Sequence, residues 1–576
     1  MKNKKLLGFL LGIGIILLII GIFGHSFLNK AAKNYLKSEL EVLNAKNEYI
    51  YQAGSLDIRL LGGSIVLKDF KIKPSDAYLE AFNNGEAPEP TLKELSVDQV
   101  SFKGIGIIDL LLNNHLNIRN IQINKPTFKI LKHPENYKTD SVPGTSKSNF
   151  YLDSIQIRKT KEISLSEFNI VDYELQILDV VSKDTILQYT GKDMTIDGID
   201  LEPSEKNPNY FYFNTEKLLF KLQKQTIDLN ADFYSVNLDN LVYDHSKQSI
   251  EIDGFAFSPM VENTQIMSAS KYTSEVYKLE MQKMNINGFN LNPLIHSGIL
   301  IIDQIIIEQL TAEITKDKSK PFNTKKVKNL PQESLQNLNF PMLIQSIDIK
   351  NSTLNYSEQD KAPKDLLDLN LTDLNINISN VTSLKDTTLK NKALEISINT
   401  LLSGELPIET KINMPYNSYN NAFTFTGHSN KGVNFNKFNS VVFKALNIKI
   451  EGGVLNGIKW SAQGNDEKLE GEFTMLYKEL EVDLYKEDQS QAKTLSWLAN
   501  AVVPKSNPGN NGKVFIASMK FERVKYKGLG NFLWKGIQSG LINSINPLAK
   551  PSPTSSSNSQ KAKSKKQKER KEKVKN

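Results

Sequence analysis

Residues 116–130, LNIRNIQINKPTFKI, carry apolar side chains at Leu116, Ile118, Ile121, Ile123, Pro126, Phe128 and Ile130. The same spacing returns at Leu300, Ile302, Ile305, Ile307, Leu310, Ala312 and Ile314, and again at Met342, Ile344, Ile347, Ile349, Ser352, Leu354 and Tyr356. Within each copy the apolar residues fall every second position, interrupted by two slips of one residue. Period two marks strands with one buried face. A slip marks a bulge or a tight corner. Similar stretches fill most of the chain, including Ser55–Lys73, Leu95–Ile107, Phe150–Lys159, Ile163–Asp179, Lys278–Leu291, Leu367–Val381, Ala445–Gly464 and Lys513–Gly528. Asn, Asp and Gly punctuate them, as turns between antiparallel strands require. Few long helical patterns intervene, so crossover helices and a parallel α/β sheet are not expected.

Composition narrows the function classes. The 576 residues contain no cysteine, which removes disulfides, thiolate metal sites and thiol nucleophiles. Hydrophobic residues make up 39% and the mean hydropathy is -0.36, so most of the chain should fold in water. The net charge of +7 is local. Eight Lys, one Arg and two Glu place +7 on residues 561–576, and Lys2, Lys4 and Lys5 add three, which leaves residues 6–560 at −3. The body is therefore not a basic nucleic-acid-binding domain.

Leu6–Phe23 is an unbroken apolar and Gly run, just long enough to span a bilayer as a helix. The lysines before it put the short N-terminus in the cytoplasm and the remainder outside. A cleavable signal peptide is the other reading, but the run exceeds the usual signal core and no A-x-A site follows. A retained anchor is favoured. Residues Lys30 to about Asn47 then favour a helical stalk. Near the other end Phe532, Leu533, Trp534, Ile537, Leu541, Ile542 and Ile545 recur at helical spacing until Pro547. This amphipathic helix either caps the sheet and buries its edge or lies on a membrane interface, and the cap is favoured. Beyond Pro551 the Ser/Pro-rich and then Lys-rich tail has too few apolar residues to fold. Its charge serves solubility or holds anionic lipid head groups.

Chemistry-bearing patterns are scarce. The histidines, His25, His115, His133, His245, His296 and His428, show no i, i+3 or i+4 pair. HExxH, GxxxxGK[ST] and GxSxG are all missing. Gly104 and Gly106 in FKGIGIID begin a GxG with no third Gly, which reads as a turn or bulge. Asp57/Arg59 and Asp172/Glu174 sit at i, i+2 on one strand face, where a solvated sheet explains them better than an acid/base pair. No catalytic, cofactor-binding or metal residue is assigned, and the chain is read as a non-enzyme. A long sheet with one apolar face could instead bury acyl chains by non-directional contact, at about 0.8 kcal/mol per CH₂. The slips hide which residues line such a groove.

The anchor, then LLGGSIVLKDFKIKP, then VSFKGIGIIDLLLNNHLNIRNIQINKPTFKIL, resembles the AsmA-like envelope proteins of Gram-negative bacteria, in particular the DUF748 type. The likeness covers about Leu56–Leu131, and the FLWKGIQSGL helix also fits. It implies an inner-membrane anchor, a periplasmic body, and a mainly β, elongated, curled antiparallel sheet forming a groove. The layout expected is a cytoplasmic N-terminus (1–5), transmembrane helix (6–27), stalk (28–47), two β-rich regions (48–315 and 341–530) joined by a polar loop (316–340), amphipathic helix (531–547) and Lys-rich tail (548–576). The resemblance further implies phospholipid transport toward the outer membrane, or outer-membrane assembly and homeostasis. Its partners would be phospholipid or another acyl-chain ligand, the inner membrane and other envelope proteins, with no nucleic acid and no cofactor. The alternative is a non-transporting assembly factor that binds envelope proteins, for example by strand addition at an open edge.

Overall fold

The computed structural model describes residues 25–552, apart from 46–47, 60–62, 87–88, 134–161, 204–210, 215–216, 360–366, 386–391, 440–447, 486–502 and 547. The apolar run Leu6–Phe23, the expected strand Phe150–Lys159 and the tail from residue 553 onward lie outside the described residues. Among those described, no helix is long and apolar enough to cross a membrane. The fold is mainly β, with 59% strand and 17% helix. The chain divides into two compact units, Met1–Met260 and Val261–Asn576. Residues 316–340 lie inside the second unit.

The first unit opens with helix α1 (His25–Asn44), then strands β1 (Tyr49–Gln52), β2 (Ser55–Arg59) and β3 (Ser64–Pro74). Helix α2 (Asp76–Asn83) is capped by the Ser75 side chain, which accepts from Tyr78 N. Strand β4 (Thr91–Ile105), helix α3 (Ile107–Asn113), β5 (His115–Asn124) and β6 (Thr127–Lys132) follow. The unit closes with β7 (Glu162–Asp179), β8 (Thr185–Pro203), β9 (Phe211–Asn214), β10 (Leu219–Leu229), β11 (Tyr234–Asp244) and β12 (Ser249–Pro259). Strands β1 and β2 both pair with β3, β3 with β4, and β4 with β5 and β6. From β7 onward the order is β7, β8, β10, β11, β12, all antiparallel.

The second unit starts with α4 (Asn263–Ala269), β13 (Ser274–Asn287), α5 (Leu291–Ser297), β14 (Leu300–Glu308) and β15 (Thr311–Asp317). Helix α6 (Pro331–Gln336) precedes β16 (Met342–Gln359), β17 (Asp368–Thr382), β18 (Ala393–Leu402), β19 (Leu406–Pro415), β20 (Phe423–Ser429) and β21 (Val433–Asn434). A 3₁₀ turn (Phe435–Phe438), β22 (Ile448–Gly464), β23 (Lys468–Leu484), β24 (Ala517–Glu522) and helix α7 (Leu529–Ile545) complete it.

The expectation of an antiparallel sheet needs correction at four pairings. β5 and β6 run parallel to β7, and β14 and β15 run parallel to β16. Parallel neighbours need a crossover of a dozen or more residues. The chain segments 133–161 and 318–341, which join β6 to β7 and β15 to β16, are long enough for it. The registers also explain the recurring sequence. Leu300 faces Met342 and Thr311 faces Thr353, a constant offset of 42 that matches the separation of the second and third copies. Those two copies lie side by side. The first copy finds its partner in β7, where Leu116 faces Ile163 and Ile130 faces Ile177. Ile163–Ile177 is thus a fourth copy that the alternation alone had not aligned.

One of the two slips in each copy is a single residue with left-handed backbone, and β3 and β10 carry the same feature. These residues include Asp69 (φ 54), Lys125 (φ 47), Asp172 (φ 52) and Lys224 (φ 47) in the first unit, and Gln309 (φ 55) and Asn351 (φ 51) in the second. Each inserts one residue and keeps the apolar parity on one side. Leu67 and Phe70, three apart across Asp69, both face the same core. Gly104 (φ 68) makes a similar bulge, and a Cβ there would lie 2.6 Å from Arg119 Cβ.

Two buried cores result. In the first unit Leu56, Ile58, Ile65, Leu67, Phe70 and Ile72 pack together, with Leu36 of α1 against them. In the second a larger core runs from Ile302 and Ile344 to Phe473, Tyr477 and Met519. Helix α7 lies on β23 and β24 through Phe532, Gly536, Gly540 and Ser544, one face at i, i+4 spacing. The glycines permit this approach, since a Cβ at Gly540 would sit 2.6 Å from Phe473 Cβ.

Candidate functional site: an apolar sheet face

The registers of β5–β12 assemble apolar side chains into rows that cross the strands. One row is Ile121, Phe168, Ile196, Phe220, Tyr243 and Ile250. The next is Ile123, Ile170, Met194, Leu222, Leu241 and Ile252. Beyond the slip come Phe128, Leu175, Tyr189, Ile227, Val236 and Phe257, then Ile130, Ile177, Leu187, Leu229, Tyr234 and Pro259. With strands about 4.8 Å apart, a row of six spans ~24 Å.

The intervening positions are mostly polar. Gln122, Asn169, Thr195, Lys221, Val242 and Glu251 form one such row, and Asn124, Val171, Asp193, Gln223, Asn240 and Asp253 another. Cross-strand ion pairs tie this side together, as between Lys221 and Asp197 at 3.1 Å and between Lys192 and Asp172. Asp172 and Glu174 belong here. Glu174 accepts from Gln176 and Gln188 at 2.7 and 2.6 Å, and Asp57 pairs with Arg59 at 3.1 Å on a solvated strand. Exposed pairs of this kind add little stability.

The apolar side is unlike either core. Phe168, Ile170, Met194, Ile196, Leu222 and Leu241 are only half-buried, and they belong to neither packed cluster among the described residues. Sequence alternation could not assign this lining. The constant offsets between copies were the signal that would have done so, because they equal the parallel register.

One polar cluster interrupts the rows. Tyr173, Gly191 and Gln225 are direct neighbours on β7, β8 and β10. The Tyr173 ring fills the space over Gly191, where a Cβ would lie 2.2 Å from Tyr173 Cζ. Gln225 is 4% exposed. Its Oε1 accepts from the Tyr189 hydroxyl at 2.7 Å and from the Tyr173 hydroxyl, and its Nε2 donates to Gln223 O at 2.7 Å. Burial, and then the hydrogen bond with Tyr189, pushes the Tyr173 pKa far up, so this hydroxyl is neutral.

The C-terminal helix residues go elsewhere. Phe532 is 2% exposed, with its ring 6.1 Å from Phe423 and 6.3 Å from Phe521. Leu533, Ile537, Leu541 and Ile545 pack against the second core, Trp534 is half-buried, and Ile542 is exposed. The helix also occupies the outer edge of β24. Ser539 Oγ accepts from Lys520 N at 3.0 Å, Asn543 Nδ2 donates to Ser518 O at 2.9 Å, and Ser552 N donates to Ile516 O at 3.0 Å. No family model and no curated protein matches this chain.

Proposed function

We propose that the first unit holds acyl chains of a phospholipid or similar amphiphile against the apolar face of β5–β12. The observation that carries this reading is the set of largely half-buried apolar rows, with charged and amide side chains kept almost wholly on the other side. Burying hydrocarbon there contributes about 0.8 kcal/mol per CH₂ without any directional contact. Such a face needs no catalytic group. Together with the N-terminal apolar run and the likeness to AsmA-like proteins, it supports a membrane-anchored periplasmic protein that serves phospholipid transport toward the outer membrane, or its homeostasis. In this reading the elongated, curled sheet acts as a groove behind one inner-membrane helix.

The packed core of the second unit favours a different role for that part. A filled interior suits a non-transporting assembly factor that binds envelope proteins. Strand addition at β24 is disfavoured, because its edge groups already have partners in α7 and Ser552. Native mass spectrometry of the full chain, paired with lipid extraction, separates the two readings. Co-purifying phospholipid is expected. Its complete absence under gentle extraction would sink the acyl-holding role and leave the assembly reading.

A further inference from the structure

In the five rows that run from the Ile121 row to the Ile130 row, Gln225 is the only amide or charged side chain among the described residues. It lies beneath Tyr173 and Tyr189, whose rings meet edge-on at 5.6 Å. Hydrocarbon-facing residues flank this cluster on both sides along the strands. Met194 and Leu222 lie one way, and Leu175 and Ile227 the other.

The hydrogen-bond accounting restricts what can pair there. Gln225 Nε2 spends its protons on Gln223 O at 2.7 Å and Asp193 O at 3.4 Å, which fixes the amide orientation. Both tyrosine hydroxyls reach Oε1, and their oxygens lie 3.3 Å apart, so each proton goes to Oε1 or to the neighbouring hydroxyl. The donors are therefore committed, and the phenolic oxygens retain only acceptor lone pairs. A ligand group that pairs with them must donate a hydrogen bond. Ester carbonyls and ethers cannot. A head-group amide could, but it carries polar mass on one side, whereas the cluster has apolar residues on both.

We infer that Tyr173 and Tyr189, held by Gln225, form a polar station that selects a hydroxylated acyl chain, with hydrocarbon running both ways from its hydroxyl. This rests on the acyl-holding reading and deepens it. An uncharged hydroxyl buried without a partner is costly, so a paired one gains over a site that offers none.

The test uses the full chain in a fluorinated surfactant with a bound fluorescent fatty acid, displaced by stearate or by 12-hydroxystearate. The hydroxylated chain should displace the probe at about fivefold lower concentration, the worth of one net hydrogen bond. Tyr189→Phe keeps the ring and leaves Gln225 Oε1 paired with Tyr173. It should reduce the preference, read as the ratio of the two displacing concentrations, and Tyr173→Phe should reduce that ratio in the same direction. Equal displacement by the two acids in the unsubstituted protein, with the probe bound, would overturn the station alone. Failure of the fluorescent acid to bind at all would overturn the acyl-holding reading with it.

Discussion

Phe473→Ala should destabilise the second unit by about 3–5 kcal/mol, among the largest effects of any single truncation in this chain. Phe473 is 0% exposed and lies under α7, against the backbone space that Gly540 leaves open. Its neighbours Leu469, Tyr477 and Met519 are also almost fully buried, so the site has little freedom to collapse around the void. The helix would lose part of the surface on which its Phe532–Ser544 stripe rests. Denaturant unfolding of the variant beside the unsubstituted protein provides the measurement. A loss below about 0.5 kcal/mol, inside the range of surface substitutions, would mean that α7 does not seal this core.

Leu222→Glu should act in the opposite sense, with little effect on folding and a large effect on lipid. Leu222 is half-buried on β10, between Met194 and Leu241 in the centre of the rows. A carboxylate there stays hydrated in the free protein, and its cost falls due when hydrocarbon covers it. Dehydrating an unpaired ion costs several kcal/mol, and 1.4 kcal/mol is a factor of ten. Bound acyl lipid should therefore fall at least tenfold. Lys221→Glu, one residue away on the polar side, is the control and should leave lipid retention unchanged. Equal lipid in the two variants would remove this face from the binding surface.

Much of the fold was legible because period two survives in nearly every strand. Leu67 and Phe70 show why the rest was harder. They are three apart yet share a core, since Asp69 takes a left-handed conformation between them. A reader of alternation alone would place one of them on the wrong face. The parallel pairings were hidden for another reason. Residues 316–340 look like an ordinary polar loop, and nothing local distinguishes a crossover from a hairpin insert. The offset of 42 between Leu300 and Met342 did contain that information, because identical alternation favours identical register when the two copies lie side by side.

The candidate surface divides in the same way. Its apolar residues on β5, β6 and β7 were visible as strand positions, but the common side they share with β8 and β10–β12 depends on aligned slips. The Tyr173–Gln225 bond joins residues 52 apart and depends on Gly191 having no side chain. Composition offers no hint of such a cluster. The Phe532–Ile545 stripe was legible as amphipathic, and its partner was not, because a helix face suited to a membrane is equally suited to a sheet.

Site-specific photo-crosslinking tests the acyl-holding face most directly. A photoreactive amino acid at position 222 and another at position 221 sit on opposite sides of one strand, 3.3 Å or so apart along the chain. After illumination of intact cells and purification of the full chain, mass analysis should find phospholipid adducts at 222 and none above background at 221. Adducts at both positions alike, or at neither, would contradict the account.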